Sequence, residues 1–205
     1  MSPPSTPFGP GPDAARLDEK VPGLNPLHPP ITCARADANA AKLYGAIVAQ
    51  ARLPVFYRAL AVPDTLEGRF LVLSLLLFAV LRRFKQQGRE AQALAQALSD
   101  RFSEDIETVL REIGVGDLSI PKKVRRLAAS SGALFAAYAE ALPAGDAAVA
   151  AVIAEALGEP PSDATLSLAH YLRRVAAALE GQDIAALAAG EVRFAEVASG
   201  QELGT

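Results

Sequence analysis

Two histidines, a single cysteine and three short polar motifs are the residues of this 205-residue chain whose types could do chemistry. His28 and His170 are candidate bases or metal ligands, yet neither has a second ligand three or four residues away. No metal site is expected from them, and a catalytic base would need an orienting partner that the sequence does not supply. Cys33, alone of its type, excludes an intramolecular disulfide and a cysteine-based zinc cluster and fits a reducing compartment. "GVGD" at 114–117 is too short for a dinucleotide cradle, follows a helical pattern and lacks the GK[ST] ending of a phosphate loop. "SSG" at 130–132 lies inside a helical pattern, whereas a nucleophile elbow needs a strand-to-helix turn. The carboxylates of "EDIE" at 104–107 read as the solvated face of a helix. No acid/base pair, nucleophile or cofactor loop emerges, so the chain reads as noncatalytic and without a cofactor.

Charge is the next source of chemistry. Residues 52–126 hold 13 Lys/Arg against 9 Asp/Glu, whereas the flanks are acidic and the whole chain has a formal net charge of -3. This balance lacks the strongly basic stripe of a nucleic-acid binder, and DNA is not an expected partner. Within the basic middle, "RRFK" at 82–85 closes a helix, where cations complement the dipole. "KKVRR" does the opposite: Lys122, Lys123, Arg125 and Arg126 crowd a helix start and oppose the dipole by some tenths of a kcal/mol each. That placement points to an anionic surface met there: a ribosome, an anionic membrane or an acidic protein.

The elements that must position these groups are helical. Half of the composition is hydrophobic, aromatics are 6% and tryptophan is absent, which suits packed helices better than a sandwich or barrel. Residues 1–32 contain 9 of the 15 prolines and too little apolar periodicity to bury, so a disordered arm is expected to about residue 35. From about Asp37, Ala41, Leu43, Tyr44, Ile47 and Val48 recur at helical spacing. Pro54 opens a short helix bearing Phe56, Tyr57 and Leu60, and Pro63 with Asp64 ends it, leaving Asp64 or Thr65 to cap the next helix. That helix, about 65–87, contains "FLVLSLLLFAVL" at 70–81, apolar on every face except at Ser74. Those residues are too few for the roughly 20 of a membrane span and are flanked by arginine, so they read as the central helix of a bundle.

After Gly88, one long or two consecutive helices reach 113, with Ala93, Leu94, Ala97, Leu98, Phe102, Ile106, Val109 and Leu110 inward and Ser99 or Ser103 as the break. Pro121 opens an amphipathic helix to about Leu142 with Val124, Leu127, Phe135, Tyr138 and Leu142 on one face. Alanine-rich helices follow over about 143–190, separated by "GEPPSD", and the last residues, 191–205, read as frayed. The fold class is all-α, a bundle of six to eight helices, with a helical core over 36–142. No apolar signal-peptide core begins the chain, and Asp13, Asp18 and Glu19 argue against a transit peptide.

"LYGAIVAQAR", "FYRALAVPDTLEGRF", "VLRRFK" and "GVGDLSIPKKVRR" occur in that order between Asp37 and Leu142. With these motifs the sequence resembles the ubiquinol-cytochrome c chaperone family, assembly factors for the cytochrome bc1 complex found in alphaproteobacteria and mitochondria. The resemblance implies an all-helical, noncatalytic protein that binds newly made cytochrome b and brings it to a haem-loaded, assembly-ready state. In mitochondria the family member works with a small partner protein near the ribosomal exit tunnel; for this chain the expectation is the cytoplasm, peripheral at the inner membrane, with a small helper protein and the ribosome or an anionic membrane surface as further partners. Carried onto matching positions, the partner-binding residues are Tyr44, Gln50, Arg52, Phe56, Tyr57, Asp64 and Arg69, with Lys122, Lys123, Arg125 and Arg126. The sequence departs from the family pattern at Leu71 and Leu76, where an acidic residue and a histidine are expected, and at Ser131 and Gly132 in place of an aromatic pair. Two rival readings stay open: a helical protein–protein adaptor that has lost the bc1 link, and a pocket between helices that serves an enzyme or holds haem. Exposure of Tyr44, Arg52, Tyr57 and Arg69 separates a docking surface from the framework behind one.

Overall fold

The computed structural model describes residues 33–85, 87–112 and 120–197, with the backbone alone for residues 33, 34, 90, 110 and 120–130. The chain divides into Met1–Pro30 and Ile31–Thr205, and every described helix belongs to the second unit. The proline-rich arm, as far as residue 32, lies outside the described residues.

Eight helices follow one another: α1 (Cys33–Ala51), α2 (Pro54–Arg58), α3 (Leu66–Lys85), α4 (Arg89–Glu112), α5 (Ile120–Ala144), α6 (Asp146–Leu157), α7 (Asp163–Glu180) and α8 (Ile184–Ala188). The fold is all-α, and α3 is its central helix. It packs on α1, α4, α5, α6 and α7, and Leu71, Val72, Ser74, Leu75, Leu76, Leu77, Phe78, Ala79 and Val80 are buried along it. A helix can be apolar all round only where neighbours cover all its sides, and each buried Leu or Val then contributes about 1.5–3 kcal/mol. Among the described residues no helix is long and apolar enough to cross a membrane.

Punctuation follows local chemistry. Pro54 stands in the first turn of α2, where its missing N–H costs nothing. The Thr65 hydroxyl, of the two capping candidates, accepts from the Gly68 amide at 3.2 Å. α6 ends on Gly158 at φ 70°, a left-handed position that glycine occupies without strain. Ser162 and Thr165 form a reciprocal capping box at the start of α7.

One open alternative is decided and two sequence expectations need correcting. α4 is one helix: Ser99 and Ser103 donate back to the carbonyls of Ala95 and Ser99, so their hydroxyls do not compete with the helical ladder. Ala93 is exposed and Ala91 is buried in its place, in phase with Leu94, Leu98, Phe102 and Ile106. Pro143 does not end α5 but sits inside its last turn, and the chain reverses at Gly145, φ 112°.

Candidate functional site

The short helix α2 is folded back on the end of α1 by a chain of contacts that begins in the core. Phe56 is fully buried and meets Tyr171 of α7 edge-to-face, ring centroids 5.2 Å apart. Gln50 reaches the same tyrosine, its amide donating to the Tyr171 hydroxyl at 2.9 Å. One residue after Phe56, the Tyr57 hydroxyl donates to the Ala51 carbonyl at 2.8 Å, satisfying an acceptor left open where α1 ends. The Arg69 guanidinium lies over the Tyr57 ring at 5.8 Å and donates to Asp64 at 2.7 Å. Both partners of that ion pair are more than half exposed, so the bridge orients the guanidinium and adds little stability.

Tyr44 has a separate task. It is buried in α1 and its hydroxyl donates to Asp105 of α4 at 2.8 Å, joining two helices across 61 positions of sequence. Burial, and then the hydrogen bond to Asp105, push the Tyr44 phenol far above its ordinary value. Burial also raises Tyr171 to about 12 and Tyr138 beyond that, from an ordinary 10.0. The unfolded chain ionises these tyrosines near pH 10, while the folded chain keeps them protonated. Their contribution to stability is therefore complete below pH 10 and falls as pH rises toward the folded values. In an alkaline titration, tyrosinate absorbance from three of the four tyrosines should rise together with loss of helical circular dichroism. Independent ionisation near pH 10 with the helices intact would contradict this burial.

These contacts frame one side of a groove of about 1310 Å³. Arg52, Tyr57, Asp64 and Arg69 line it, together with Arg58 of α2. Its apolar surface comes from Val48 of α1, Leu66, Phe70 and Leu73 of α3, Ile106 and Val109 of α4, Leu134 and Ala137 of α5, and Val152 of α6. With Pro54 of α2, six helices thus contribute apolar side chains to a single concavity, the usual form of a binding site. Leu66, on the lining, is 49% exposed, and Leu53, beside Pro54, is 39% exposed.

The sequence-derived site residues therefore separate into two groups. Arg52, Tyr57, Asp64 and Arg69 reach the groove; Tyr44, Gln50 and Phe56 stand behind it as framework, with Asp105, the partner of Tyr44, on the lining. The side chains of Lys122, Lys123, Arg125 and Arg126 lie outside the described residues, although their backbone belongs to α5. Sequence reasoning missed Leu66, Phe70, Leu73, Leu134 and Val152, because an apolar residue that lines a groove has the same helical spacing as one in the core. His170 is placed beside Asp146 at 3.5 Å, at the α6–α7 contact, and does not line the groove. Among the described residues no group of three or more His, Cys, Asp or Glu could hold a metal ion.

Comparison with known protein families matches residues 58–194 to the family described as ubiquinol-cytochrome C chaperone. A search of curated proteins found no match. Among solved structures, the chain is similar to the crystal structure of the Cbp3 homolog from Brucella abortus: 34% identity, TM-score 0.73, covering 80% of this chain and 93% of that one.

Proposed function

The chain belongs to the ubiquinol-cytochrome C chaperone family, and from that premise we propose that it is a noncatalytic chaperone for assembly of the ubiquinol-cytochrome c reductase (bc1) complex, with newly made cytochrome b as its client. The observation that carries this reading is the large, mostly apolar groove, which lies mostly within the matched residues and presents exposed leucine beside fixed charged groups. A membrane-protein client has apolar helices that must be shielded until they are inserted or partnered, and a groove built from six helices offers that shield without chemistry. The protein acts from the cytoplasmic face, peripheral at the inner membrane. A small helper protein shares the task, and the basic start of α5, with Lys122, Lys123, Arg125 and Arg126, meets the ribosome or the anionic membrane surface.

Deleting the gene tests the proposal. Haem-loaded cytochrome b and assembled bc1 complex should fall together and return on complementation; normal levels of both in the deletion strain would remove the reading.

A further inference from the structure

The groove has two walls of different character, and the difference specifies what fills it. On the α5–α6 side the lining includes Ala133, Ala137 and Ala156, side chains so small that a helix backbone can approach closely. A helix about 10 Å across would fill the groove with about three turns. On the α1–α2 side stand Arg52 and Arg58, both exposed, six residues apart on one folded-back segment. The other groove cation, Arg69, is paired with Asp64, whereas Asp105 accepts from the neutral Tyr44 hydroxyl and keeps its charge. The side chains of Arg52 and Arg58 make no hydrogen bond or ion pair among the described residues.

Three carboxylates without a cationic partner among the described residues, Glu67, Asp105 and Glu155, also line the groove. Glu67 lies in the first turn of α3, where it complements the helix dipole. Glu155 stands by itself on α6, with no second acid on its own element within the lining. These acids are spread over α3, α4 and α6, while Arg52 and Arg58 share one short segment.

We propose that the groove takes a helical client segment of about three turns that is apolar on its buried side and carries a carboxylate received by Arg52 and Arg58. This rests on the reading of the groove as the client site and names the chemistry that selects the segment.

The test uses the full chain and two labelled Ala/Leu helical peptides of equal length, one with Glu pairs at both ends and one with Lys pairs, read by fluorescence anisotropy. The acidic peptide should bind about tenfold more tightly, a preference that salt weakens. Arg52→Glu with Arg58→Glu should invert the preference at unchanged helix content. Arg52→Gln with Arg58→Gln should abolish it while leaving apolar binding, and decides the matter if the reversed variant folds poorly. Glu155→Gln should leave the preference in place. Equal binding of both peptides to the unaltered chain would overturn the inference while leaving the chaperone reading intact. Binding of neither would overturn the inference and the groove as client site together.

Discussion

A chain carrying Leu66→Glu and Ala133→Glu should fold with unaltered helix content and fail to support bc1 assembly. Both positions line the groove and both are exposed, so each carboxylate stays hydrated in the free protein and costs the fold little. The cost appears on binding. An apolar segment laid into the groove would strip water from two carboxylates that have no added partner, and an unpaired charge taken out of water loses several kcal/mol. At about 1.4 kcal/mol for each factor of ten, the affinity for an apolar client falls at least about a hundredfold. Haem-loaded cytochrome b in membranes, measured by its absorption spectrum, should drop to the level of the deletion strain. Normal content with the variant present at normal abundance would show that the groove is not the working surface.

Gly68→Ala is the second large effect, this time on the fold that shapes the groove. Alanine is the better helix former by up to about 1 kcal/mol, so in an open helix the change would stabilise. Here the added methyl would overlap the backbone carbonyl of Pro63 and press on Val62. A backbone carbonyl cannot swing aside as a side chain does, and forcing extra volume into such a contact costs about 1–3 kcal/mol or more. The clash therefore outweighs the propensity gain. It must be relieved by moving the 59–65 turn off the start of α3, a turn that already holds Ala61 at φ 51°. Asp64 and Thr65 move with it, so the Asp64–Arg69 bridge and the position of Arg69 over Tyr57 are lost too. A lowered denaturation midpoint together with weakened client binding is the expected pair of results; a raised midpoint would mean that α3 does not seat against Pro63 as described.

The central helix was legible in the sequence because its physical cause is local: residues 70–81 are apolar on nearly every face, which requires neighbours on every side, and α3 has them. The breaks at Pro54, Pro63, Gly88 and "GEPPSD" were legible for the same reason, since backbone conformation there is set by the residue itself. Ser99 and Ser103 left one helix or two open, because a serine hydroxyl either caps a new helix or bonds back within an old one, and only the geometry of α4 decides. The site was half legible. Arg52, Tyr57, Asp64 and Arg69 fall in one stretch and do converge, but Tyr44 meets Asp105, and Gln50 and Phe56 meet Tyr171, across separations that no periodicity encodes. Nor does spacing distinguish Leu73, on the groove lining, from Leu75, deep in the core.

Site-specific crosslinking in native membranes tests most directly whether this groove holds cytochrome b. A photoreactive side chain at position 66 should capture newly made cytochrome b, while the same group at position 166, a leucine comparably open at 42% exposure but away from the groove, should not. No cytochrome b at position 66, or equal capture at both, would contradict the account.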